Sequence, residues 1–162
     1  MKSLLLIRHA QAKETQTGQR DFDRELSPQG LRDSSHIGHY LRDEEILPDA
    51  IICSTAERAR NTTHLLAEQL RFDTQKIKTN DDLYEASVRT FLHAINQLDD
   101  HWNTVIMVGH NPTLTYLGEY LTKQSIGNVV PAGVLHLTFT VDSWNEISEG
   151  TAMLKAYKHT FE

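Results

Sequence analysis

A single cysteine, Cys53, is all that this chain carries in 162 residues, so an internal disulfide is impossible. A lone thiol in an apolar stretch suits a reducing compartment, and a cytoplasmic location is expected. One thiol also excludes multi-thiolate zinc. Long apolar runs are missing as well: nothing approaches the roughly 20 residues of a membrane span. The apolar run near the start is cut short by Arg8 and His9 and lacks a small-residue cleavage site, so neither a secretory leader nor a membrane partner is expected. Basic excess is absent too. The net charge of -6 argues against a nucleic-acid partner, whose docking surfaces are usually basic. No GxxxxGK[ST] loop occurs and no GxGxxG follows the first strand, which lowers nucleotide-hydrolase and dinucleotide readings. His36 and His39 stand three residues apart without a carboxylate in a recognised ligand spacing and read as exposed helix surface. No metal and no cofactor are expected.

What remains is the composition of an ordinary globular protein, 39% hydrophobic and 23% charged, at a length that fits one domain spanning residues 1–162. Its most informative stretch is Leu4-Leu5-Leu6-Ile7-Arg8-His9-Ala10. Four consecutive aliphatic residues read as a strand buried on both faces, ending abruptly in a cation and an imidazole. Thr104-Val105-Ile106-Met107-Val108-Gly109-His110-Asn111-Pro112 repeats the pattern: a buried strand, a histidine at its end, then a helix start. Ligand sites of open α/β sheets gather at the C-terminal ends of strands. Two strand-end histidines with arginines nearby point to handling of a phosphoryl group.

The rest of the chain supplies the scaffold. Ser27-Pro28 opens a helix to about Asp43, with Leu31, Ile37, Tyr40 and Leu41 as an approximate apolar stripe. Ala50 to Cys53 reads as a second strand, and Ser54-Thr55 as a cap for a helix over 56–70 whose less polar face is Ala59, Thr62, Thr63, Leu66, Ala67 and Leu70. A short strand is expected at 77–79, a loop at 81–85, a helix at 87–98 and another from Pro112 to about Leu121. Strands follow at 134–141 and 151–158, joined through Asp142-Ser143-Trp144 as a hairpin connection. Strands separated by helices predict a three-layer α/β/α sandwich, mostly parallel, with an antiparallel C-terminal part. Residues 10–26 read as a polar loop able to move over a site.

His9 is the leading nucleophile candidate, since a histidine nitrogen can attack phosphorus and divide a transfer into two steps. Arg8 offers a planar fork of donors suited to phosphoryl oxygens. Arg58 sits in the first helical turn after the second strand, where backbone donors also favour an anion, and would meet Arg8 if the first two strands are neighbours. His110 is placed to donate to a phosphoryl oxygen, with Asn111 capping the helix behind it. Glu85 is a candidate to protonate a leaving group and later activate water, though a solvated loop carboxylate reads equally well there and at Asp81 and Asp82. Arg24 either reaches phosphate or neutralises Asp21, Asp23 and Glu25 around it.

The Arg8-His9 strand end resembles the arginine–histidine motif of the histidine phosphatase superfamily, the phosphoglycerate mutase-like group, with Ala10 where glycine is usual. Ser54 to Thr62 resembles the segment that supplies the second arginine, and Val108 to Pro112 the second-histidine segment. The compact length, Arg24-Glu25-Leu26-Ser27-Pro28-Gln29-Gly30 and Leu83-Tyr84-Glu85-Ala86-Ser87 are similar to the SixA-type phosphohistidine phosphatases. The resemblance implies that His9 is transiently phosphorylated, that Arg8, Arg58 and His110 surround the phosphoryl group, and that no large cap insertion covers the site. It further implies a phosphorylated protein substrate, a histidine phosphotransfer domain. A small-molecule phosphomonoesterase of the same superfamily and a noncatalytic phosphate-binding module are the competing readings. The sequence leaves the oligomeric state open.

Overall fold

Period-two alternation along the strands decides how the layers assemble. In the computed structural model, which describes residues 1–161, Leu4 and Leu6 of the first strand pack into one apolar cluster and Leu5 and Ile7 into another. The first strand, β1 (Lys2–Arg8), is followed by α1 (Pro28–Asp43), β2 (Ala50–Ser54), α2 (Glu57–Leu70), β3 (Lys78–Asn80) and α3 (Val88–Asn96). Then come β4 (Thr104–Gly109), α4 (Thr113–Thr122), β5 (Val134–Phe139) and β6 (Ala152–Lys158). The six strands form one sheet in the order β3-β2-β4-β1-β5-β6. Its first four strands are parallel, while β5 pairs antiparallel with both β1 and β6. Helices α1 and α2 cover one face over Leu5, Ile7, Ile51, Ile106 and Val108. Helices α3 and α4 cover the other over Leu4, Leu6, Ile52, Val105 and Met107. This is the expected α/β/α sandwich, mostly parallel with an antiparallel C-terminal part. Among the described residues no helix is long and apolar enough to cross a membrane.

Local departures from expectation have physical causes. Strands β1 and β2 are not neighbours, because β4 lies between them and pairs with both. Arg8 and Arg58 therefore reach one place across an intervening strand that carries His110 at its end. Neither Ser54 nor Thr55 caps α2: its N-cap is Ala56, with no side-chain bond, and the Ser54 hydroxyl faces His110 instead. Ser54 shares strand parity with Ile52, which packs on the α3/α4 side of the sheet. Leu31 is 47% exposed and lies off the buried stripe of α1. The link between β5 and β6 is no tight hairpin, since Trp144 turns inward to complete exclusion from solvent and its indole N–H donates to the Trp102 carbonyl (2.8 Å). A buried indole needs that partner.

The polar segment 10–26 is anchored rather than loose at its ends. Ser27 N–H donates to the Gln11 carbonyl (2.9 Å), Ala12 bridges Leu26, and Ser27 caps α1 by accepting from Gly30 N–H (3.0 Å). Gly30 is what allows this crossing, because a Cβ there would overlap the Gln11 carbonyl oxygen. Gly30→Ala is expected to destabilise the fold by about 1–3 kcal/mol, the usual cost of overpacking, read as a lowered urea midpoint. An unchanged midpoint would show that the segment is not pinned here.

Candidate active site

Three parallel strands end side by side, and the residues just past their ends converge. From β1 come Arg8 and His9, from β4 His110, from β2 Ser54, and from the first turn of α2 Arg58. His9 is held by its backbone N–H on the Gly109 carbonyl (3.1 Å), which ties the end of β1 to the end of β4. Ala10 N–H donates to Thr62 Oγ1 (3.0 Å), whose own hydroxyl donates to the Arg58 carbonyl (2.8 Å), so β1 is also fixed against α2. The rings of His9 and His110 lie with centroids 5.1 Å apart.

The hydrogen bonds assign the imidazole protons. His9 Nδ1 lies 2.8 Å from the Ala10 carbonyl, an acceptor, so Nδ1 carries the proton. His9 Nε2 then presents its lone pair, which accepts from Arg58 Nε–H at 3.3 Å. Burial, opposed by the Ala10 carbonyl and reinforced by His110, Arg58 and Arg8, pulls the His9 pKa down to about 3. Ser54 is fully buried, its hydroxyl oxygen accepts from Ala56 N–H (3.3 Å), and among the described residues His110 Nε2 (2.8 Å) is the one acceptor in reach of its proton, so the hydroxyl is assigned as the donor. That places the second ring proton on His110 Nδ1. Burial, with Arg58 and Arg8 and against Asp21, lowers the His110 pKa to about 4.

Two buried donors at this edge, Arg8 Nε and His110 Nδ1, have no hydrogen-bond partner among the described residues. Arg8 is otherwise secured by donating from Nη1 to the Val129 carbonyl (2.9 Å). Buried donors without acceptors are costly, and two of them on residues flanking a lone-pair nitrogen suit an anionic ligand. Another unpartnered atom, His36 Nδ1, sits on α1, and its residue lines a separate cleft with Lys158 and Phe161.

Arg58 is 7% exposed and is gripped from outside. Its Nη1 donates to the Asp21 carbonyl (2.8 Å) and its Nη2 to Asp21 Oδ2 (3.0 Å). Tyr84 Oη–H also donates to Oδ2 (2.8 Å), and Arg24 Nη1 donates to Oδ1 (3.1 Å). Partial burial works against the Asp21 charge, but Tyr84, Arg24 and Arg58 outweigh it and hold the pKa down to about 2. Burial and the same hydrogen bond raise the Tyr84 hydroxyl to about 12.

The structure thus brings Arg8, His9, Arg58 and His110 together and places Arg24 one step out, on Asp21 and the Lys13 carbonyl. Glu85 is exposed, in a left-handed turn (φ 55°), next to Tyr84. Sequence reasoning missed Ser54, Asp21 and Tyr84 as parts of the site. The Asp21–Arg24 spacing, which places both in one short turn, was the available signal for Asp21. Among the described residues no group of three or more His, Cys, Asp or Glu side chains is arranged to hold a metal ion.

Fold and geometry define a parallel α/β sandwich with an anion-receptive pair of histidines and pair of arginines at its C-terminal sheet edge. Residues 4–91 match the histidine phosphatase superfamily (branch 1), and the chain belongs to that family. An uncharacterised protein of Mycobacterium tuberculosis is 29% identical over 161 residues, spanning 93% of this chain and 98% of its own length. A structure from Agrobacterium tumefaciens assigned as the phosphohistidine phosphatase SixA superposes with TM-score 0.84 at 26% identity, covering 98% of both chains. One from Nakamurella multipartitia, assigned likewise, gives 0.82 at 26% identity over 98% of this chain and 95% of that one.

Both histidine pKa values lie below the ordinary 6.5, so between pH 7 and 5 the unfolded chain binds protons that the folded chain does not. Stability contributed by the neutral rings is complete above 6.5 and falls as pH drops toward 4. Nitrogen-15 spectra of the histidine rings are expected to show His9 and His110 as neutral Nδ1–H tautomers throughout pH 7.5 to 5.5, with urea midpoints falling over the same interval. A midpoint near 6.5 for either ring would contradict this electrostatic picture.

Proposed function

We propose that the protein is a phosphohistidine phosphatase, acting on a histidine-containing phosphotransfer protein through a phospho-His9 intermediate. One observation carries the reading: His9 Nε2 is offered unprotonated, its tautomer locked by the Ala10 carbonyl, among donors that match the oxygens of a phosphoryl group. Arg8 Nε, Arg58 Nε and His110 Nδ1 are those donors. They stabilise the equatorial oxygens as charge redistributes, the role that a preorganised donor set plays in transition-state stabilisation. Covalent capture by His9 needs no metal ion or cofactor.

Proton accounting favours an imidazole leaving group. The incoming phospho-imidazole carries a proton on its far ring nitrogen, and His9 carries one on Nδ1. As His9 Nε2 forms its bond to phosphorus, the substrate's P–N bond breaks and its electron pair returns to the departing ring. The substrate leaves as neutral imidazole, and phospho-His9 takes up the positive charge on its ring, with Nδ1–H still on Ala10. No proton moves. Water then attacks phospho-His9, the P–N electron pair returns to Nε2, and both water protons leave with the phosphate.

An ester behaves differently, since its departing oxygen needs a proton. Asp21, the carboxylate bound into the site, is held ionised by its three donors. Glu85 stands exposed at the rim. We assign Glu85 no required role with a phosphohistidine substrate and place Arg24 as support for Asp21. The fit of the whole chain to SixA-type structures supports the same reading.

Single-turnover dephosphorylation of a phosphorylated histidine phosphotransfer domain, compared with glycerol phosphate in EDTA, tests it. The expected result is fast turnover of the protein substrate, abolished in His9→Ala and slowed about 10²- to 10³-fold in Arg58→Ala, as for loss of a transition-state donor. A preference for glycerol phosphate would move the assignment to a small-molecule phosphatase. Phosphate binding without turnover of either would indicate a noncatalytic module.

A further inference from the structure

Two aromatic rings at the mouth of the site belong to neither apolar core. Phe22 and Tyr84 meet edge to face, with centroids 5.1 Å apart and planes at 84°. Tyr84 also stands edge to face against His110, at 5.6 Å and 76°. Both rings are half-buried, and both are absent from the clusters that line the two faces of the sheet. Their positions are set by polar bonds. Tyr84 is tethered by its hydroxyl to Asp21, and Phe22 follows Asp21 in the chain beneath the Arg20 guanidinium, 5.6 Å from its centroid. The core does not require these rings, yet the charged network that holds Arg58 also holds them next to His110.

Their place relative to the nucleophile gives them a use. His9 is 9% exposed and forms the floor of the site, whereas the Asp21 side chain at the mouth is 48% exposed. In an in-line displacement the leaving group departs on the side away from the attacking nitrogen, and a substrate whose phosphorus reaches the buried His9 holds its leaving group on the solvent side. We propose that Phe22 and Tyr84 form a subsite for a planar aromatic leaving group, the imidazole of a phosphohistidine, and set the preference of the site for it. This rests on the phosphohistidine reading above and names the residues that read the departing ring. An imidazole ring offers a π face and edge to pair with these two rings. Before transfer it also carries a positive charge, attracted by aromatic faces and by the Asp21 carboxylate between Tyr84 and Arg58. The chemical step is the one already given: the P–N bond breaks, its electron pair stays with the departing ring, and the new bond forms at His9 Nε2.

Three small substrates separate the possibilities. Phosphoimidazole and phosphoramidate both break a P–N bond, but only the first releases a ring; glycerol phosphate breaks a P–O bond and releases an alkyl alcohol. The ratio of kcat/KM for phosphoimidazole over phosphoramidate is measured within each full-length variant, so the fraction of active protein cancels. The ratio is expected to fall about three- to tenfold in Phe22→Ala and in Tyr84→Leu, the size of an aromatic pairing contribution. It is expected to stay within twofold of wild type in Phe22→Tyr, which keeps the ring and leaves the Tyr84–Asp21 tether in place. An unchanged ratio in both Phe22→Ala and Tyr84→Leu overturns the subsite while leaving the phosphohistidine reading intact. A wild-type preference for glycerol phosphate over both P–N substrates, or turnover of none of the three, overturns the phosphohistidine reading and the subsite with it.

Discussion

The hydrogen bond from His9 Nδ1–H to the Ala10 carbonyl, 2.8 Å long, is the constraint on which the site turns. An imidazole attacks only through an unprotonated nitrogen, and which nitrogen that is depends on what the other one touches. The Ala10 carbonyl fixes the answer locally, because it belongs to the next residue of the same chain. The remaining geometry serves to hold that carbonyl in place: Ala10 N–H on Thr62, Thr62 on the Arg58 carbonyl, and His9 N–H on Gly109. His9 is therefore oriented by backbone and helix contacts, without a carboxylate partner of its own among the described residues.

Charge is arranged around that nitrogen with equal economy. Burial and two guanidinium groups keep both histidines neutral, so the cationic field comes from Arg8 and Arg58. The Arg58 guanidinium is divided between two duties. Its Nη atoms face Asp21, and its Nε faces His9. Asp21 restrains the outer edge of the fork and leaves the inner edge turned toward His9. Through Arg24 and Tyr84 the same carboxylate links the 10–26 segment, α2 and the turn before α3 over one corner of the sheet.

Much of this was legible before any coordinates. Continuous apolar runs at Leu4–Ile7 and Val105–Val108 marked buried parallel strands, and the polar residues that ended them marked the functional edge. The six residues expected on the less polar face of α2 are all buried. Strand order was not legible: nothing in the local pattern says that β4 inserts between β1 and β2, since that is settled by which faces remain to be covered. Ser54 looked like a cap because serine after a strand usually is one, and only strand parity directs its hydroxyl to His110. Asp21 and Tyr84 lie 63 residues apart, and their bond depends on how two irregular segments meet over the sheet. Trp144 was read within a turn and proves to be core, because the long link from β5 to β6 has a face of α3 to cover.

The central claim is that His9 Nε2 carries the phosphoryl group during turnover. Phosphorus NMR of protein labelled with nitrogen-15 in its histidine rings, quenched in base shortly after mixing with a phosphorylated phosphotransfer domain, tests it directly. The expected signal is a phosphorus–nitrogen coupling to Nε2 of His9 that rises and decays on the timescale of phosphate release. Coupling at Nδ1, phosphorylation of another residue, or phosphate release with no phospho-histidine on the enzyme would contradict the account.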